Sequence, residues 1–174
     1  MLQFKRLLNA LAPFSPTLIG TYPLGLQTPA SDFDIACSAL DLTQFERSLG
    51  AVLLELEVPA ALPRRLMLSP EASVTSFTCE GSPIEVFCQT IPVSEQHGFR
   101  HMIIEGQLLR LAGEPLRERV LALRDDGLKT EAAFAKVLGL AGDPYAALLQ
   151  LENQSQTELT NLLVKGGLET TRPH

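Results

Sequence analysis

Ile19-Gly20-Thr21-Tyr22-Pro23-Leu24-Gly25, resumed at Ser31-Asp32-Phe33-Asp34-Ile35, is the stretch that decides how this chain is read. Asp32 and Asp34 stand two apart at the start of an apolar run with strand character. Side chains alternate across a strand, so both carboxylates face one side while Phe33 and Ile35 face the other. Two carboxylates side by side repel, and a divalent cation between them relieves the repulsion. An all-oxygen set of this kind suits Mg²⁺ or Mn²⁺.

A third carboxylate is expected to join them. Glu85 lies in Pro83-Ile84-Glu85-Val86-Phe87, an acid alone among bulky apolar neighbours. Buried without a partner it would cost several kcal/mol, and a shared metal removes that cost. Gln89, four residues on, falls on the same strand face and is expected to line the same cleft. Gly20-Thr21 lies just after a short β-like run. Glycine lets backbone approach a phosphate closely, while the threonine hydroxyl and nearby N–H groups can donate to its oxygens. A glycine turn beside paired acids is the equipment of phosphoryl or nucleotidyl transfer, in which two metals about 3.5–4 Å apart activate the attacking hydroxyl and stabilise the leaving group.

Outward from this stretch, the composition is that of a folded protein. The chain has 174 residues, 45% apolar and 20% charged, with 14 Lys plus Arg against 20 Asp plus Glu and a net charge of −6. An acidic chain without a basic run disfavours a long nucleic acid or an anionic membrane as partner. Three cysteines, Cys37, Cys79 and Cys88, include no C-x-x-C pair, which fits a reducing compartment and excludes a disulfide scaffold. No apolar run reaches the ~18–20 residues of a membrane span. The N-terminal MLQFKRLLNALAPF is broken by Asn9 and is followed by no small-residue cleavage site, so it reads as a short amphipathic helix and the protein as cytoplasmic.

The first half reads as strands: Thr17–Gly20, Phe33–Ser38, then Ser73–Cys79 and Pro83–Gln89 as a hairpin around Glu80-Gly81-Ser82. Between them a helix capped by Asp41 or Thr43 is predicted to stop at Gly50, with 51–58 ambiguous between strand and helix. After Pro92 the period becomes helical: 94–111, Pro115 to Arg124, a segment from Thr130 stopped at Gly139 or Gly142, and 144–151 capped by Asp143. The last twenty or so residues suggest one weak helix and a frayed end. The expected class is α+β, a small mixed sheet followed by a C-terminal helical bundle. The expected parts are a core of residues 1–92, a helical half of 93–151 packed on it, and a polar tail of 152–174.

The run G-T-x-x-x-G-x-x-x-x-x-S-D-x-D from Gly20 to Asp34, with a later acid between apolar residues, resembles the signature of the nucleotidyltransferase superfamily, which holds the DNA polymerase β-like enzymes and the minimal nucleotidyltransferases. IEVFCQTIPVSEQHGFRHMIIE and LKTEAAFAKVLGLAGDPY are similar to an uncharacterised bacterial branch of it, and the resemblance extends to about Leu151. It implies transfer of a nucleoside monophosphate from a nucleoside triphosphate, with Mg²⁺ or Mn²⁺, to a small-molecule or protein acceptor. Asp32, Asp34 and Glu85 would be catalytic and hold the metals; Gly20, Thr21 and Ser31 would hold the triphosphate. The arginine that many minimal nucleotidyltransferases carry in this first turn is replaced by Leu24, so Arg100 and Lys129 are expected to meet the phosphates instead, with Gly25, Gln89 and His101 lining the cleft. Two rival readings share the fold: a non-catalytic nucleotide- or partner-binding module, and a metal-dependent phosphohydrolase. His97, His101 and Glu105 have zinc-like spacing, but Gly98 stands where H-E-x-x-H needs Glu, and an ordinary helical role is the expectation.

Overall fold

The computed structural model describes residues 2–59 and 62–170. Two compact units emerge: Met1–Tyr22 with Ala30–Phe99, and Pro23–Pro29 with Arg100–His174. The first, a sheet unit, holds α1 (Leu2–Ala10), β1 (Thr17–Ile19), β2 (Phe33–Ser38), α2 (Leu42–Glu55), β3 (Arg64–Leu66), β4 (Ala72–Cys79) and β5 (Ser82–Gln89). The strands form one mixed sheet in the order β1-β2-β5-β4-β3. β2 and β5 run parallel at its centre, and the other pairs are antiparallel. The hairpin between β4 and β5 turns on Glu80 and Gly81, both at positive φ (50° and 80°), the type I′ geometry that matches strand twist.

Period-two alternation gives each face its character. Ile35, Cys37, Ile84, Val86 and Cys88 face the core, where Leu7 and Leu11 and the α2 residues Phe45, Leu49 and Leu53 cover them. Burying each large apolar side chain is worth about 1.5–3 kcal/mol. Burial pushes the Cys37 and Cys88 thiols up to about 12. Asp41 caps α2 through Thr43 and Gln44 N–H, so Thr43 is not the cap. The helix continues past Gly50, whose position has open space, and absorbs most of the ambiguous 51–58. Arg65 of β3 grips Glu46 of α2 (Nε–Oε1 2.5 Å, Nη2–Oε2 3.2 Å) while Ser73 donates to the same carboxylate at 2.6 Å. Those bonds, Arg65 foremost, lower the Glu46 pKa.

The helical unit carries α3 (His97–Ala112), which begins two residues before Phe99, then α4 (Glu114–Asp125), α5 (Thr130–Leu138), α6 (Pro144–Leu149) and α7 (Gln156–Lys165). Its core gathers Ile104, Leu108, Leu116, Val120, Phe134, Leu148 and Leu163, together with Leu26 from the 23–29 segment. Gly139 at φ 66° ends α5 in a left-handed cap. Asp143 caps α6 through Ala146 N–H. Ser155 and Glu158 form a reciprocal capping box at the start of α7. Of the expected frayed end, residues 171–174 lie outside the described residues. Among those described, no helix is long and apolar enough to cross a membrane.

Candidate active site

The face of the sheet opposite its core carries Asp34, Glu85, Ser76 and Gln89 beside the apolar Ala36, Val74 and Phe87. On it, Asp34 of β2 and Glu85 of β5 are direct register partners on parallel strands. Adjacent strands lie about 4.8 Å apart, so the two side chains leave the sheet next to one another. Glu85 is also the partner of Ser76 on β4, whose hydroxyl donates to its carboxylate at 3.3 Å. Ile19, the last residue of β1, is opposite Asp34 on the other side. Gly20 follows at φ 72°, and a Cβ there would stand 2.3 Å from Asp34 Oδ2. Glycine is required twice over at this position, for the left-handed backbone and for the carboxylate packed against it. Thr21 comes next in the turn and is buried, as is Ser31 ahead of β2. Tyr22 stacks on Phe33 with ring centroids 3.8 Å apart and 13° between planes, which ties the turn to the start of β2.

Gly20, Asp34 and Glu85 are thus brought together. Asp32 is half-buried one residue ahead of β2, and the expected three-acid cluster is not gathered: among the described residues, no group of three or more His, Cys, Asp or Glu stands close enough to hold a metal ion. Mg²⁺, however, is commonly held by one or two carboxylates plus substrate phosphates and water. The donor set of Asp34 and Glu85, two oxygen acids on one face, fits that ion. Gln89 is buried on the same face, its Nε2 donating to Pro70 O at 2.8 Å.

Gly25, Arg100, His101 and Lys129 belong to the helical unit. Arg100 spends its guanidinium fork on Glu152 (Nε–Oε1 2.8 Å, Nη2–Oε2 2.6 Å). His101 is buried with Nε2 2.9 Å from Tyr145 O, so the side chain expected to line a cleft is built into helix packing. Lys129 is exposed and precedes α5 without a side-chain cap bond. Gly25 sits at φ 65°, and a Cβ there would meet Arg117 Nη1 at 2.9 Å.

Arg117 was invisible in the sequence and matters most for this loop. Its Nη1 donates to Leu24 O (2.5 Å) and Gly25 O (2.9 Å), and Arg124 donates to Leu26 O. Two arginines of α4 thereby hold the segment that follows the glycine turn. No local signal announces such bonds across more than ninety residues. Ser76 was findable, because the Glu80-Gly81 turn sets the register that puts it opposite Glu85.

Residues 1–151 match the model of a family described as "Domain of unknown function (DUF4269)". No curated protein matches the sequence. Among solved structures, the Cid1 poly(U) polymerase with MgGTP bound is similar at a TM-score of 0.57 and 13% identity, over 78% of this chain and 49% of that one. A mutant of the same polymerase bound to MgATP gives 0.51 and 14%, over 86% and 49%. The chain spans about half the length of those polymerase chains. At such identity the likeness is one of fold alone, that of the five-stranded mixed sheet with its helices.

Proposed function

This chain belongs to the DUF4269 family, and we propose that it is a metal-dependent nucleotidyltransferase of the bacterial branch its motifs resemble. One observation carries the reading: the Asp34 carboxylate packs on the Gly20 backbone while Glu85 stands opposite it on β5. A phosphate chain laid on the Gly20-Thr21 turn would therefore end beside two acids. The polymerase of similar fold was solved with MgGTP and with MgATP, which supports a nucleoside triphosphate as donor.

In this reading Asp34 and Glu85 would hold Mg²⁺, with Asp32 the remaining acid of the proposed catalytic set. The ion, when bound, neutralises phosphate charge and polarises the reacting oxygens. The Thr21 hydroxyl and the turn's N–H groups hold the triphosphate. The acceptor hydroxyl oxygen forms a bond to the α-phosphorus, and the bond from that phosphorus to the bridging oxygen breaks. Pyrophosphate leaves with the electron pair, and the acceptor proton passes to Glu85.

A thermal-shift titration with Mg²⁺ or Mn²⁺ and each of the four nucleoside triphosphates tests the donor site. A ligand at 100 times its dissociation constant adds about 2.7 kcal/mol of stability, several degrees for a chain of this size. One triphosphate should shift the wild type only with metal, and Asp34→Asn should abolish the shift. The absence of any shift in the wild type would sink the assignment. A non-catalytic nucleotide-binding module is the second reading, favoured by the ungathered third acid; metal-dependent binding without release of pyrophosphate would select it.

A further inference from the structure

The face that carries Asp34 and Glu85 continues along β5 into a pocket of about 230 Å³. Alternation sets Phe87 and Gln89 on the same side as Glu85, in steps of about 6.6 Å. Both residues line the pocket, together with Pro70, Ile91, Glu95 and His97. Gln89 is 6% exposed and its carboxamide is fixed by the bond to Pro70 O, so this wall has a set hydrogen-bonding group. Gly98, also in the lining, stands against Ile19, where an added Cβ would be 2.9 Å from Cδ1. Ile19 is the register partner of Asp34, so pocket and acids share a border.

The lining chooses its ligand by charge and size. Glu95 is acidic, and the lining includes no lysine or arginine among the described residues. A polynucleotide end or a polyphosphate needs several cations to offset its charge, and His97 is the sole basic side chain in this lining among the described residues. The volume lies below the about 300–1,000 Å³ of drug-sized sites, which limits the occupant to a ring or short branched chain. We infer that this pocket seats the body of a small amine-bearing acceptor, its apolar part against Phe87, its ammonium toward Glu95 and its hydroxyl toward Glu85. The word acceptor rests on the proposed activity, whereas the ligand class rests on the pocket alone.

Phenethylamine and 3-phenylpropionate share a ring and a chain of similar length but carry opposite charge. Their binding to the full chain, read by saturation-transfer NMR with and without a 15-nucleotide RNA as competitor, tests the inference. The amine is expected to bind at least tenfold more tightly than the acid, without competition from RNA. Phe87→Ala should weaken it tenfold or more. Glu95→Gln, at an exposed position, should erase the preference for the amine and serves if Phe87→Ala fails to fold. Binding of neither probe, equal binding of the acid, displacement by RNA, or an unchanged preference in Glu95→Gln would each overturn it. The wild-type titration with Mg²⁺ and triphosphates decides the other reading separately: amine binding with no triphosphate shift would leave the pocket and remove the transfer.

Discussion

Glu105 is a carboxyl almost sealed inside the helical unit, 3% exposed and with no hydrogen-bond partner for its Oε1. Burial holds its pKa well above the ordinary 4.5, with Glu131 adding to the rise and Arg124 opposing it. The folded chain keeps a proton that the unfolded chain releases above pH 4.5, so stability falls as pH climbs from there toward the raised value. Glu105→Gln has no proton to lose and should remove that slope. Urea denaturation should give similar stabilities for variant and wild type near pH 4 and a more stable variant at pH 8. Identical pH profiles would mean that Glu105 ionises in place. At this scale the juxtaposition in the candidate site was readable wherever the signal was local: Gly20 from its turn, Asp34 and Glu85 from alternation. The engagement of Arg100 with Glu152 and of Arg117 with Leu24 and Gly25 arises only when distant segments meet.

Elements were readable in proportion to the strength of their end signals. Asp41 and Asp143 each cap the helix expected of them. Gly50 was read as a stop because glycine weakens helices by about 1 kcal/mol, but packing of Phe45, Leu49 and Leu53 outweighs that. β3 escaped notice because three residues between prolines and exposed side chains carry no period; it exists through pairing with β4. α7 was expected to be weak for its polar composition, and its firm start comes from S-x-x-E, residues 155 to 158. Ser155→Ala should cost about 1 kcal/mol and loosen the first turn of α7. Hydrogen exchange should show faster exchange at Glu158 and its neighbours with α5 unaffected. Unchanged protection there would mean that packing of Leu159 and Leu163 alone holds the helix.

For the whole molecule, the order of the chain is not the order of the units. Residues 23–29 belong with the helices although residues on both sides belong with the sheet. The expected boundary at residue 92 reflects the change of period, which tracks secondary structure and is silent about which core a loop enters. Leu26 is fully buried in the helical core, and Arg117 and Arg124 bind the carbonyls around it. A fragment ending at Phe99 should therefore keep slow exchange in β2 and β5 but lose it across residues 23–29. Equal protection in fragment and full chain would show that this segment does not depend on the helices.

The pairing of Asp34 with Glu85 joins residues 51 positions apart through parallel strands. Such contacts come at the end of a search: closing a long loop is costly in chain entropy, and sheets built from distant pairings form slowly. Neither acid-bearing strand contains the site, and no nascent chain shorter than β5 has it. The Asp34–Glu85 pair and the completed central sheet are for this protein a single cooperative event, so a newly made chain lacks the paired acids until β5 has zipped against β2.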